Sequence, residues 1–369
     1  MSVPRPRNRP LAREWPLAVS IAAAAFFLLF GDAIWPRMVH WPVLVLAFGT
    51  LFAAVVNASL AVIRHAERLA EMLGDPYGTL ILTLSVTLIE ITSISSVMLH
   101  GDSNPTLTRD TLFAVVMIIM NGMVGLALLA GGWRHGEQMH NLQGANVYLS
   151  AAIPMLVFGL VLPGFTRPSA GPALSIAMQA FIVIVSVGLY LVFLRVQMGR
   201  HRHYFSAEET GAGRHGHAKP EIVLCALKLA ANLVPALLLA HEMSHPIDHL
   251  IETLNAPAAV GGVLIAILVA LPEGMGAVRA ALGNQLQRSV NISLGSMLST
   301  VGLTIPAMVV IGALIGQPPV LGVQGADLVL LALTLAVSIV TFSSGRTNVI
   351  QGAVHLTVFF AYLVLIFQG

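Results

Sequence analysis

Two stretches of this chain decide its fold when set side by side: Glu67-Arg68-Leu69-Ala70-Glu71-Met72-Leu73-Gly74-Asp75-Pro76 and Asp248-His249-Leu250-Ile251-Glu252-Thr253-Leu254-Asn255-Ala256-Pro257. Acidic residues, Leu and Pro fall at the same places in both. Each stretch leads into an apolar run that opens near glycine, Gly78 in one and Gly261-Gly262 in the other, and each run holds one glutamate, Glu90 or Glu273. With two residues inserted in the second copy, the two glutamates align.

The runs are membrane spans. The chain is 56% hydrophobic and only 10% charged over 369 residues, against about 25% charged for soluble domains. Apolar runs long enough to cross a hydrocarbon core of about 30 Å recur along its whole length. They read as eleven helices, at roughly 15–34, 41–63, 77–100, 111–132, 146–163, 174–197, 221–241, 258–281, 290–316, 325–343 and 348–367. The first follows Arg5, Arg7, Arg9 and Arg13 and resembles a signal peptide. Its length, and the lack of a small-residue cleavage site before Trp35-Pro36, mark it as a retained helix. The lone Cys225 lies in an apolar run, so disulfides play no part.

Positive charge orients the bundle. With the N-terminus in the cytoplasm, the inner side holds the N-terminal arginines, Arg64, Arg68, Arg134, Arg195, Arg279, Arg288 and Arg346. The outer side holds only Arg37, Arg109 and Arg167, and the C-terminus is external. Lys228 is expected to snorkel from span seven. Glu67 and Glu71 then flank the inner entry, and Asp248 and Glu252 the outer one. An odd number of spans separates the two copies, so the second is upside down. The expected organisation is all-α: residues 1–40 a basic N-terminus with one extra helix, 41–197 a five-helix repeat, 198–220 a linker, and 221–369 the inverted repeat. Inverted repeats are a signature of secondary transporters, with the site at the repeat interface near the midplane. The linker carries His201, His203, His215 and His217. It reads first as a solvated connection, with a metal or pH sensor as the alternative.

Glu90 lies thirteen positions beyond Tyr77, a rise of about 20 Å, and Glu273 lies at similar depth. An unpaired carboxylate there costs at least about 2.5 kcal/mol, so each needs a proton or a cation. Hard cations take mixed oxygen ligands, and the sequence supplies them. Thr83 and Thr87 share a face with Glu90. Pro272 frees a backbone carbonyl one turn before Glu273. Asn121, Ser296, Ser299 and Thr300 stand on the following spans. No Cys or His is near, which argues against soft metals. Proton and cation would compete for the same two carboxylates, and a site facing one side at a time would then exchange them.

The segment Gly74-Asp75-Pro76-Tyr77-Gly78-Thr79-Leu80-Ile81-Leu82-Thr83-Leu84-Ser85-Val86-Thr87-Leu88-Ile89-Glu90 resembles the first signature of the calcium/proton exchanger (CAX) family of the calcium/cation antiporter superfamily. Leu271-Pro272-Glu273-Gly274, Asn284-Gln285-Leu286-Gln287-Arg288-Ser289 and Leu294-Gly295-Ser296-Met297-Leu298-Ser299-Thr300 resemble the second. The resemblance covers nearly the whole chain. It implies export of cytosolic Ca²⁺, or of Na⁺ or K⁺, driven by returning protons, with Glu90 and Glu273 binding cation and proton in turn. Two departures stand out. Many members carry Gly-Asn three to four residues before each glutamate, where this chain has Val86-Thr87 and Val269-Ala270. The family's linker is often acidic, and this one is histidine-rich.

The expected protein is therefore an antiporter of the bacterial inner membrane, with the lipid bilayer, small cations and protons as partners. It needs no resident cofactor and no nucleic acid. A monovalent Na⁺(K⁺)/H⁺ antiporter is the alternative within the class. One rival comes from another class. His241-Glu242-Met243-Ser244-His245 fits the H-E-x-x-H pattern of zinc peptidases, in which two histidines bind zinc and the glutamate is the base. A third ligand would come from Asp248, His249 or Glu252. Pro246 weighs against this rival, because it biases His245 away from helical geometry.

Overall fold

The computed structural model describes residues 14–73, 77–100, 106–166, 174–199, 201–205, 219–254 and 256–367. Ten of its helices are long and apolar enough to cross a membrane, and an eleventh is shorter and apolar. They are α1 (Trp15–Ile34), α2 (Trp41–Leu73), α3 (Tyr77–His100), α4 (Leu107–His135), α5 (Leu142–Phe165), α6 (Ile176–Met198), α7 (Lys219–Glu242), α8 (Ala258–Leu282), α9 (Leu286–Leu314), α10 (Ala326–Phe342) and α11 (Val349–Ile366). The all-α membrane architecture read from the sequence is the one observed.

Helix starts follow local chemistry. The Asn141 side chain accepts from the Gly144 amide at the start of α5, and Ser175 accepts from Met178 at the start of α6. Asn348 and Gln351 form a reciprocal capping box on α11, satisfying amides the helix leaves open. Between helices, lipid supplies no hydrophobic drive, so association depends on close packing of small residues. Gly352 of α11 packs on the backbone of Leu129 in α4. A Cβ at Gly262 of α8 would come within 2.8 Å of the Thr111 amide nitrogen in α4.

The helix order α2–α6 recurs as α7–α11. In each set the second helix carries the glutamate and the third contains a π-helical turn, Ile118–Met123 in α4 and Thr300–Thr304 in α9. The glutamate helices cross between the sets: α3 packs on α7, and α8 packs on α4 and α2. On the face that also bears the α6–α7 linker, Gln138–Met139 (β1) and Arg346–Thr347 (β2) pair as a two-residue antiparallel ribbon. The ribbon ties the α4–α5 turn to the α10–α11 turn.

Three expectations change. First, α2 continues to Leu73 rather than ending near 63, because Ala66 and Leu69 are buried and keep the helix packed. Second, α7 is followed by a short helix Ser244–Asp248 and a π turn His249–Thr253. Glu67, Glu71, Asp248 and Glu252 therefore all sit on helical extensions, and His245 is helical despite Pro246. The proline falls in the first turn of the new helix, where its missing N–H costs nothing. Third, Lys228 does not snorkel alone: its Nζ lies 2.6 Å from Glu14 Oε1, tying α7 to the residue before α1. Of the linker histidines, His201 and His203 are described, with rings in loose contact; His215 and His217 lie outside the described residues.

Candidate functional site

Glu273 lies on α8 one residue after Pro272. Its carboxylate accepts from the Ser296 hydroxyl of α9. It opens into a cavity of about 350 Å³ lined also by Thr83, Pro272, Ser296, Ser299, Glu67 and Arg288. Gln197, Met198 and Arg202 line the same cavity, so its mouth is on the linker face. Six residues singled out in the sequence, from helices α2, α3, α8 and α9, thus meet around one space.

Glu90 is placed differently. It is 2% exposed and does not line the cavity. One carboxylate oxygen accepts from Thr304 of α9 at 2.8 Å, and Thr300 also reaches the carboxylate. The other oxygen is enclosed and has no hydrogen-bond partner among the described residues. The Thr87 hydroxyl, three residues earlier on the same helix, is likewise buried without a partner among them. Glu90 and Glu273 are close enough to interact electrostatically.

α9 therefore serves both glutamates, through Ser296, one turn before its π turn, and Thr304, the last residue of that turn. π turns inside α-helices recur at functional sites, and this one presents both of its threonines to Glu90. The sequence alone does not single out Thr304. Its spacing from Ser296 and Thr300, four residues at a time, is the one signal that could have found it; the π turn has none.

The corresponding turn of α4 does not serve the glutamates. Asn121 donates to Thr334 of α10 at 2.8 Å and faces His355 Nδ1 of α11 at 3.3 Å. Thr341 meets the other nitrogen of His355 at 3.0 Å. His355 is fully buried in this polar knot, which holds α4, α10 and α11 together.

The acidic repeat residues divide as well. Glu67 pairs with Arg288 at 3.6 Å across the cavity mouth, with both side chains largely exposed. Glu71 lines a second cleft of about 270 Å³ beside Glu14, Arg64, His65 and Arg68. Asp248 lies in the short helix after α7, on the opposite face. The π turn includes Glu252, whose side chain is outside the described residues.

The H-E-x-x-H residues are not arranged as a zinc centre. The His241 ring is hydrogen-bonded through Nδ1 to Ser96, and the His245 ring stacks on Trp35 with centroids 4.9 Å apart. No three His, Cys, Asp or Glu side chains converge on a metal position among the described residues.

Comparison with known proteins agrees with this fold. The family model described as "Sodium/calcium exchanger protein" matches residues 43–199 and 226–368. The chain is 42% identical over 314 residues to the putative ionic transporter y4hA of Sinorhizobium fredii, covering 84% of this chain and 86% of that one. It is 35% identical over 340 residues to the sodium-potassium/proton antiporter ChaA of Escherichia coli, covering 90% and 92%. The crystal structure of the Ca²⁺/H⁺ antiporter protein YfkE has the same fold, with a TM-score of 0.69 over 96% of this chain and 97% of that one at 16% identity. A membrane-spanning bundle with two intramembrane carboxylates on crossed helices, matched over both halves by one family model, belongs to the sodium/calcium exchanger family of secondary transporters, and the chain is not an enzyme.

Proposed function

We propose that the protein exchanges a cytosolic hard cation, Ca²⁺ first, for protons by alternating access, with Glu90 and Glu273 as the groups that hold both. The observation that carries this reading is the placement of Glu273. It lines, with Ser296 and Ser299, a cavity that reaches the linker face, while Glu90 is buried outside that lining. A cation entering from the linker face meets oxygen ligands from a carboxylate, hydroxyls and the carbonyl freed by Pro272. It cannot stay there without displacing any proton from the carboxylate. The proton and the cation therefore take turns, and each turn favours a different conformation.

The positive-inside distribution supports a cytoplasmic linker face, and the membrane in this reading is the bacterial inner membrane. The cavity is then open to the cytosol, as an exporter awaiting its cation requires. The two-repeat division, 41–197 and 221–369 around the linker at 198–220, is part of the same proposal. Thr83, Thr87, Ser296, Ser299 and Thr300 complete the ligand set, and Glu67 and Glu71 draw cations to the inner mouth. Asp248 and Glu252 do so at the outer one. Asn121 acts at a distance, by fixing the π turn of α4.

A monovalent cation, Na⁺ or K⁺, is the second reading. It is favoured by Val269-Ala270, which brings no side-chain oxygen to the turn before Glu273. The deciding experiment is cation-induced proton flux in everted membrane vesicles, with Ca²⁺, Na⁺ and K⁺ added separately. Dissipation of the proton gradient by one of them is expected. No response to any of the three overturns the reading.

A further inference from the structure

We infer that Tyr190 of α6 is a positioning residue for the transported cation: seated on the π turn of α9, its phenolic oxygen accepts the Thr83 O–H and leaves the Thr83 lone pairs to the cation. The inference rests on the antiport reading and on the place that reading gives Thr83. Tyr190, Phe193 and Gln197 follow one another at helical spacing on α6. All three line the cavity that holds Thr83, Glu273, Ser296 and Ser299.

The seat is a close one. A Cβ at Gly302, in the middle of the π turn Thr300–Thr304, would come within 2.8 Å of Tyr190 Cδ2 and 2.9 Å of its Cβ. Only a residue without a side chain lets α6 approach α9 so closely. The tyrosine thus lies against the turn that presents Thr300 and Thr304 to Glu90. Tyr190 is 5% exposed, so its side chain has little freedom. Its hydroxyl is held at one place on the cavity wall, where it interacts with the Thr83 side chain. The other tyrosine of that wall is engaged elsewhere: the Tyr148 hydroxyl accepts from Gln197 at 3.2 Å.

The opposite half of the molecule shows what the ring alone does. The π turn of α4, Ile118–Met123, also carries a glycine, Gly122, and α11 covers it with a ring: a Cβ there would lie 3.4 Å from Phe359. Each five-helix set therefore lays an aromatic residue from its last helix on the π-turn glycine of the other. Phenylalanine suffices for that packing. The hydroxyl occurs only on α6, beside the turn that serves Glu90, and a buried phenol calls for a polar partner. Packing explains the ring and leaves the oxygen unexplained.

Ligand chemistry gives the oxygen its task. A threonine hydroxyl has one proton and two lone pairs. A hard cation takes lone pairs, so the proton has to point away from it, towards an acceptor. Tyr190 is that acceptor for Thr83. Without the phenolic oxygen, the Thr83 proton is free to turn towards the cation, and the ligand is weakened.

The test uses the full-length protein in everted vesicles. Cation-induced proton flux is measured over a range of cation concentrations and normalised to the amount of protein in the membrane. Tyr190→Phe keeps the ring on Gly302 and removes only the oxygen. It is expected to raise the half-saturating cation concentration about three- to tenfold, with the maximal rate within about twofold of wild type. A tyrosine that served packing alone would alter stability and leave that concentration where it was. Thr83→Val tests the route: on that background, Tyr190→Phe should add less than about twofold. The inference is overturned if Tyr190→Phe alone keeps the wild-type half-saturating concentration, or if the effects of the two substitutions multiply. Where Thr83→Val is inactive, Tyr190→Phe alone decides. Wild-type protein without any cation-induced flux overturns the antiport reading, and the inference falls with it. Wild-type flux beside an unaltered Tyr190→Phe overturns the inference alone.

Discussion

The two glutamates occupy equivalent places in the two halves, yet the halves treat them differently. Glu273 follows a proline, opens into the cavity, and accepts from a serine on its own side of the π turn of α9. Glu90 follows isoleucine, is buried outside the cavity lining, and accepts from the last threonine of that turn. A symmetric repeat thus holds an asymmetric site. The lesson is that the asymmetry lies less in the carboxylates than in the helices facing them. α9 presents hydroxyls to both, whereas the matching turn of α4 spends its one polar residue, Asn121, on α10 and α11.

The hardest way to break the comparison is to remove each charge in turn. Glu90→Gln and Glu273→Gln should each reduce cation-induced proton flux to the level of empty vesicles. Full exchange surviving in both would end the proposed role of the pair. The same two proteins sharpen the contrast in exposure. A water-soluble carbodiimide applied from the linker face should modify Glu273 and spare Glu90, and mass spectrometry of the labelled peptide reads the difference.

Smaller effects follow from the hydroxyls. Thr304→Val keeps the shape but strips the donor from a fully enclosed carboxylate, a loss of about 1–3 kcal/mol. Apparent cation affinity, read from the concentration dependence of flux, should therefore fall about tenfold. Ser296→Ala removes the equivalent donor from Glu273, where the cavity admits water as a substitute, so a change of about two- to threefold is expected. Equal effects from the two substitutions would mean that Glu90 is no more enclosed than Glu273 when the transporter works. The smallest effect belongs to the ion pair at the mouth. Glu67→Gln and Arg288→Gln should alter flux by less than about twofold, and less still in high salt, because exposed pairs are weak and screened.

Much of this architecture is legible in the amino-acid sequence. Composition and apolar run length mark the spans, because lipid leaves a backbone few alternatives to helix. The acidic repeat locates both glutamates, because a carboxylate in hydrocarbon persists only where function requires it. Thr83 follows because helical spacing fixes which residues share a face with Glu90, and Ser296 and Ser299 because they stand on the span after Glu273. What escapes depends on irregular backbone or on distant contacts. Nothing in Thr300-Val301-Gly302-Leu303-Thr304 announces a π turn, so Thr304 goes unmarked. Span adjacency points Asn121 at the glutamates; its partner Thr334 is more than two hundred residues away, and no local pattern reports that pairing. The helical extensions of α2 and α7 escape for a related reason: hydropathy measures the bilayer, while Ala66 and Leu69 answer to protein packing.

The π turn of α9 also governs residue counting. Ser296 and Thr304 are eight apart, and in an unbroken α-helix eight steps of about 100° leave two side chains some 80° out of line. One extra residue in the turn absorbs about 100°, which brings the pair to within about 20° of a common direction. The alignment of the hydroxyls with the two carboxylates thus depends on a single inserted residue. Straightening the turn into regular α-helix without loss of a residue would leave composition, hydropathy and span length almost untouched, yet would turn Thr304 about 80° out of line with Ser296. Among relatives of this chain, a one-residue gap there would keep that direction, so loss of the turn at unchanged length is the change to look for when the transported ion differs.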